Sequence, residues 1–200
     1  MQLGRIEPEK WYHIALNTTF NLNTENTSYF GYNGSDYFSG CINDFRLYNK
    51  NLTPNEVKHL YNRQLSGGNL ALHLPLTENT NNNLKDKSIY KHVTTNHGVE
   101  SGDIGPVGGS IKFNSFGVIS FDGVEDYINL PYAISGIKSI SFWVQPSSVS
   151  QKTMIYLNSS AYIEINSSVH KLMLKILPVQ QFILIQVLQL QHLFLLIGII

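Results

Sequence analysis

An all-β sandwich is the fold class predicted for this chain. Three observations point to it. Short alternating segments recur along the chain, separated by Gly, Asn, Pro and Ser, the pattern of strands and turns. Charged residues make up only 14% of the 200, well below the ~25% of ordinary soluble domains, and polar uncharged strand faces replace them. The third is the stretch Gly40 to Tyr61, a strand that runs into one short helix. Phe45 and Leu47 alternate with Asp44, Arg46 and Tyr48, as a half-buried strand requires. Thr53, three residues before Glu56, has capping-box spacing, and Pro54 stands at the first helical position. Val57, Leu60 and Tyr61 then form one apolar stripe that must lie on a sheet.

Taken in order, Trp11–Leu16 reads as a strand and Asn17–Asn26 as a polar loop. Ser28–Tyr32 is a short strand, and Asn33-Gly34 a turn. Leu65–Asn69 is a brief flexible linker. Leu70–Leu76 is a strand that Pro75 marks as an edge or an end. Glu78–Lys85 is a polar loop, and glycines between Gly102 and Gly109 suggest turns. Val118–Phe121, Asp126–Leu130, Lys138–Pro146, Met154–Leu157, Tyr162–Asn166 and Lys171–Leu177 complete the strands. Their spacing fits an antiparallel jelly-roll sandwich.

The 14 basic and 14 acidic residues cancel, which leaves no net electrostatic footprint for nucleic acid or anionic lipid. Residues 1–10 lack the charged and apolar regions of a signal peptide. The single Cys41 excludes an internal disulfide framework and reads as a small buried hydrophobe in its strand. Asn-x-Ser/Thr triplets such as Asn17-Thr18-Thr19 and Asn51-Leu52-Thr53 have the form of glycosylation sites, but a chain this rich in Asn, Ser and Thr makes them by chance.

Gly40-x-Ile42-x-Asp44-Phe45-Arg46-Leu47-Tyr48-Asn49, followed by Leu52, Thr53, Glu56-Val57 and Leu60-Tyr61, resembles the closing segment of laminin-G-like domains in the concanavalin-A-like lectin/glucanase superfamily. Trp11-Tyr12-His13-Ile14-Ala15 looks like a strand of the same family. Phe121–Pro131 and Ser139–Pro146 are similar to its opening half. A closing half therefore comes first and an opening half second. The resemblance implies four parts: 1–64, the C-terminal half of one domain; 65–69, a linker; 70–176, the N-terminal half of a second; and 177–200, an apolar tail. It also implies that the chain begins inside a domain. The first and last strands of such jelly rolls lie side by side, so the two halves are expected to close as a circular permutant. Leu72–Leu76 should then pair with Ile42–Tyr48.

The tail is Leu, Ile, Gln and Phe without charge. It is long enough to span a bilayer, but Gln180, Gln181, Gln186, Gln189, Gln191 and His192 would be costly in lipid. A buried helix lacks a clean stripe. A third reading is an out-of-frame product. Ile197-Gly198-Ile199-Ile200 can be encoded so that a shift of two bases reads Trp-Tyr-His, the tripeptide of Trp11–His13.

Catalysis has little support. Retaining glycosidases need two carboxylates about 5–5.5 Å apart. The resemblance would require Glu-x-Asp-x-x-Glu, whereas Glu164-Ile165-Asn166-Ser167-Ser168 keeps only the first. The expectation is a protein that is not an enzyme. For binding, Trp143 points away from the face of Ile140, Phe142 and Val144, and with Tyr127 it is a candidate ligand-binding residue; a Trp covered by a loop is the commoner outcome. Asp122 and Asp126, with Glu125, form an oxygen-rich cluster that calcium would suit. The competing reading of Asp122-Gly123 is a turn whose Asp caps its own backbone. No other cofactor is implied. Asp44 and Arg46 read as a same-face ion pair. The family implies a non-catalytic module that recognises carbohydrate or protein at a cell, virion or tail-fibre surface, with no nucleic acid and no membrane unless the tail inserts. The alternatives are a spacer in a repetitive surface protein and the remnant of a glycoside hydrolase.

Overall fold

In a computed structural model the described residues are 6–64, 68–76, 84–102, 118–150, 152–167, 171–176, 185–189 and 192–194. Most of the expected linker, of the 78–85 loop and of the tail, and the glycine-rich turns after Gly102, lie outside them. The strands are β1 (Tyr12–Leu22), β2 (Tyr29–Phe30), β3 (Ser39–Tyr48), β4 (Leu70–Leu74), β5 (Thr95–His97), β6 (Glu100–Gly102) and β7 (Val118–Asp122), followed by β8 (Tyr127–Asn129), β9 (Ile137–Pro146), β10 (Lys152–Asn158), β11 (Ala161–Asn166), β12 (Lys171–Ile176), β13 (Ile185–Gln189) and β14 (His192–Phe194). One helix, α1 (Pro54–Tyr61), lies between β3 and β4.

All described pairings are antiparallel, and they build two sheets. The larger runs β14-β13-β1-β9-β3-β7-β6, with β4 also on β3; the smaller runs β12-β11-β10-β2-β8-β5. One core lies between them. Ile14, Ile42, Leu72 and Phe142 enter it from the larger sheet, Phe30, Ile128, Ile155 and Ile163 from the smaller. The rings of Phe30 and Phe45 meet edge to face across the gap, with centroids 4.3 Å apart. The described residues therefore fold as an all-β sandwich with one short helix.

The helix begins as its sequence dictates. Glu56 N donates to Thr53 Oγ1 at 3.3 Å, and Thr53 N donates to a Glu56 carboxylate oxygen at 2.8 Å. Val57 and Leu60 pack with Ala15, Tyr48 and Leu52 on the outer face of the larger sheet. One expectation is corrected: β3 is not half-exposed, because Tyr48 packs under the helix and Asp44 and Arg46 are buried as well.

The joint of the larger sheet is a bulge in β3. Against β9, Asn43 opposes Trp143 and Arg46 opposes Ser141, so β3 carries one extra residue there. Asp44 occupies the bulge with φ +52°, a left-handed conformation that Asp tolerates better than most residues. Before it, Ser39–Ile42 pair with β7; after it, Phe45–Tyr48 pair with β4. Asp44 N donates to Pro75 O at 2.9 Å. The Asn43 side-chain amide reaches the carbonyls of Pro75 and Leu76. The expected pairing of Leu72–Leu76 with Ile42–Tyr48 is present as Leu72 opposite Leu47 and Leu74 opposite Phe45.

Two strand limits differ from expectation. β1 continues to Leu22 through what reads as a loop, because Leu16, Thr18 and Leu22 are buried and Asn17–Ser139 and Leu22–Ile137 extend its pairing with β9. The described part of the tail is a strand pair rather than a helix. β13 runs antiparallel to Tyr12–Leu16, and β14 folds back on it. No helix among the described residues is long and apolar enough to cross a membrane.

Candidate functional site

The smaller sheet turns its aromatic side outward. In β2, β8, β10 and β11 the core residues are Phe30, Ile128, Met154 with Ile155 and Leu157, and Ala161 with Ile163 and Ile165. Their neighbours Tyr29, Tyr127, Tyr156 and Tyr162 therefore share the opposite face, as the period of two demands. Register places Tyr29 opposite Asn129 on one side and Tyr156 on the other, and Tyr156 opposite Tyr162. His97 on β5 lies opposite Tyr127 and stacks on it, with centroids 4.2 Å apart and planes 8° apart. Tyr32 and Tyr37, bridged across the Asn33-Gly34 turn, stack at 4.6 Å. Tyr32 lies 5.4 Å from both Tyr29 and Tyr127. All seven aromatic residues are half-buried.

Neutral hydrogen-bonding groups border the rings. Asn129 sits between Thr95 and Tyr29 across three strands, and its Oδ1 has no hydrogen-bond partner among the described residues. Asn33 accepts from Ser35 N and Asp36 N at its turn and donates to Thr153 Oγ1 at 3.0 Å. The Tyr29 hydroxyl titrates above the ordinary tyrosine value, first through desolvation and then through the neighbouring tyrosines. The face therefore presents aromatic surface beside amide and hydroxyl groups. Such a surface suits a neutral, hydroxyl-rich ligand with flat apolar patches.

Glu164 shares this side of β11, between Ile163 and Ile165, and is buried. Its cross-strand neighbours are Thr153 and Met173, neither of them a carboxylate.

Of the two candidate ligand-binding residues, Tyr127 lies at the centre of the tyrosine face. Trp143 lies elsewhere and is covered. It is on the outer side of the larger sheet and 1% exposed. Tyr61 stacks on it at 5.3 Å, and the Arg63 guanidinium lies 5.5 Å from its ring centre. The expectation of ligand stacking at Trp143 is corrected on that ground: α1 and the residues after it occupy the face a ligand would need. His13 completes this buried group, 5.0 Å from the Trp143 ring. Its Nε2 is hydrogen-bonded with Ser141 Oγ at 3.0 Å. Among the described residues His13 Nδ1 and Trp143 Nε1 have no partner. Cys41 packs beside Trp11, Val118 and Trp143, and burial raises its thiol pKa.

Asp122 and Asp126 come together, but around backbone. Asp122 Oδ1 accepts from Val124 N and Glu125 N, and Asp126 Oδ2 accepts from Asp122 N at 2.8 Å. The first of these bonds is the main reason the Asp122 carboxyl titrates below its usual value. Gly98 presses against Asp126, where any Cβ would collide with the carboxylate. Among the described residues no group of three or more His, Cys, Asp or Glu side chains gathers where it could hold a metal. A calcium ion takes six to eight oxygens, and here one oxygen of Asp122 and one of Asp126 are engaged by backbone N–H groups.

The tyrosine face is the feature that reading the sequence missed, Tyr127 excepted. Its signal is parity: Tyr29, Tyr156 and Tyr162 each flank a residue that must face the core. His97 carried no such signal, since the strand that places it is only three residues long. Fold and site together define a class, a two-sheet antiparallel sandwich with an aromatic outer face. Comparison with protein-family models, curated proteins and solved structures finds no match.

Proposed function

We propose that this chain is a non-catalytic recognition module whose tyrosine face binds a neutral glycan at a cell, virion or tail-fibre surface. The observation that supports this most is the continuous set of half-buried rings, His97, Tyr127, Tyr29, Tyr32 and Tyr37, with centroid steps of 4.2 to 5.6 Å. Sugar rings lay their C–H faces on such surfaces, while hydroxyls bond to polar groups at the margin. Aromatic residues dominate binding sites of this kind because they give large contact area at small entropic cost. The resemblance to laminin-G-like domains favours the same reading.

Screening the 200-residue protein on a glycan array, with calcium and with chelator, tests the proposal. At least one neutral glycan should bind, and calorimetry should show Tyr127→Ala and Tyr37→Ala each weakening it about tenfold or more. Asp122→Asn should leave affinity unchanged. An array without hits, or tyrosine variants that bind like the parent, would favour a spacer with no ligand.

A further inference from the structure

The chain is neutral overall, but its charge is unevenly placed. Between Leu84 and Thr94 a loop presents three exposed lysines, Lys85, Lys87 and Lys91, and the only carboxylate within it, Asp86, is buried. Three large apolar side chains stand among the lysines. Ile89 is 85% exposed, Val93 77% and Tyr90 57%. They are three of the five large hydrophobic residues most exposed to water among those described. Side chains this far from the core contribute nothing to its burial.

The loop is built to hold that shape. The Asp86 carboxylate accepts from His73 N at 2.9 Å, Ser88 N at 2.7 Å, Ser88 Oγ at 2.6 Å and His92 N at 2.9 Å. Lys87 N donates to His73 O at 2.7 Å. Thr94 Oγ1 donates to Leu84 O at 2.8 Å and closes the base. The Tyr90 and His92 rings stack at 5.6 Å. Apart from the contacts of Tyr90, the hydrogen bonds serve backbone and small polar groups, so the apolar tips are ordered without being covered.

We propose that this loop docks the protein on an anionic lipid surface. Ile89 and Val93 enter below the headgroups, Tyr90 lies at their level, and Lys85, Lys87 and Lys91 meet the negative charge. Interfacial binding of this kind adds buried apolar area to electrostatic attraction, each lysine contributing roughly fivefold in affinity. An amphipathic ring such as Tyr90 suits the boundary between chain and headgroup. A lipid layer accommodates a projecting apolar tip without a matching hollow, whereas a protein partner must supply one. That asymmetry favours the bilayer over an acidic protein.

Co-sedimentation of the full chain with vesicles tests this, using phosphatidylcholine alone and phosphatidylcholine with phosphatidylserine. Binding is expected only to the anionic vesicles and should weaken with salt. Ile89→Ser with Val93→Ser should weaken it about 30-fold or more, and Lys87→Gln with Lys91→Gln about 30-fold. Circular dichroism of both variants should match the parent, since none of the four side chains is buried. Failure to bind anionic vesicles, equal binding to neutral ones, or binding insensitive to the Ser pair would each overturn the proposal. So would capture of soluble polyglutamate, lost in the Ser pair, by a protein that ignores vesicles; that result would mark an acidic protein as the partner.

Discussion

Lowering the pH from 7 to 4 is expected to remove about 3 kcal/mol of stability, chiefly through His13. The imidazole is 1% exposed, and burial pushes its pKa from 6.5 down to about 3. Asp44 opposes that shift, and Arg63 and Arg46 add to it. In the fold His13 therefore stays neutral, while in the unfolded chain it takes up a proton below pH 6.5. The unfolded state binds more protons across the window from 6.5 to 3, so stability falls as pH falls. Each pH unit in that window is worth about 1.4 kcal/mol. Asp44 adds a second loss further down. Burial alone would raise its carboxyl, but the hydrogen bond from His73 and the charge of Arg46, whose Nε lies 2.9 Å away, hold it at about 2 against an ordinary 3.8. That stabilisation is complete above about pH 4 and is lost as pH falls towards 2. Urea unfolding at pH 7, 5.5 and 4 measures the first loss. His13→Gln, which cannot titrate, should be nearly flat over the same range. A parent protein equally stable at pH 7 and 4 would contradict the assignment.

The strands around Phe45, Ile128, Phe142 and Ile163 were legible because each alternates residues facing the core with residues of the opposite face in a short run. The helix was legible because Thr53, Pro54 and Glu56 leave only one place for it to start. Residue facing in β3 was harder. Counting back by two from Phe45 puts Ile42 on the outer side, yet Ile42 is in the core, because the Asp44 bulge shifts parity by one. Nothing in Ile42-Asn43-Asp44-Phe45 marks a bulge, as Asp also fills ordinary strand-end positions. β1 beyond Leu16 was read as a loop for a related reason. Asn17, Thr18 and Thr19 look like turn residues, but Asn17 bonds the backbone of Leu52 and the Ser139 hydroxyl, a demand set by distant chain. Trp143 could be placed on the outer face of β9 by parity alone. That α1 covers it there depends on where the helix packs. β13 has no strict alternation in Ile185-Gln186-Val187-Leu188-Gln189, and only its pairing with β1 identifies it as a strand.

Residues 1–64 alone are expected not to fold, and residues 68–200 alone to lose their cooperative transition. The reason is the order of strands. The first 64 residues supply β1, β2, β3 and α1, and no two of those strands pair with each other. In the larger sheet β9 lies between β1 and β3; in the smaller, β2 stands alone between β10 and β8. The isolated segment would keep α1 and the Tyr32–Tyr37 bridge, with Phe30, Ile42, Phe45 and Leu47 in water. An eight-residue helix is far too short to hold in water by itself. The second segment keeps its β10-β11-β12 ladder but loses both strands flanking β9, leaving the Phe142 and Val144 face open and unpaired edges on each side. Far-ultraviolet circular dichroism and proton-nitrogen correlation spectra of the two segments, apart and mixed in equal amounts, measure this. Separately they should show collapsed dispersion in the first and broadened signals in the second. The mixture should recover the dispersed spectrum of the whole chain, because every lost ladder is intermolecular in the pair. A first segment that unfolds cooperatively by itself would mean that its three strands can find each other, and the interleaved order would then not be what holds the sandwich together.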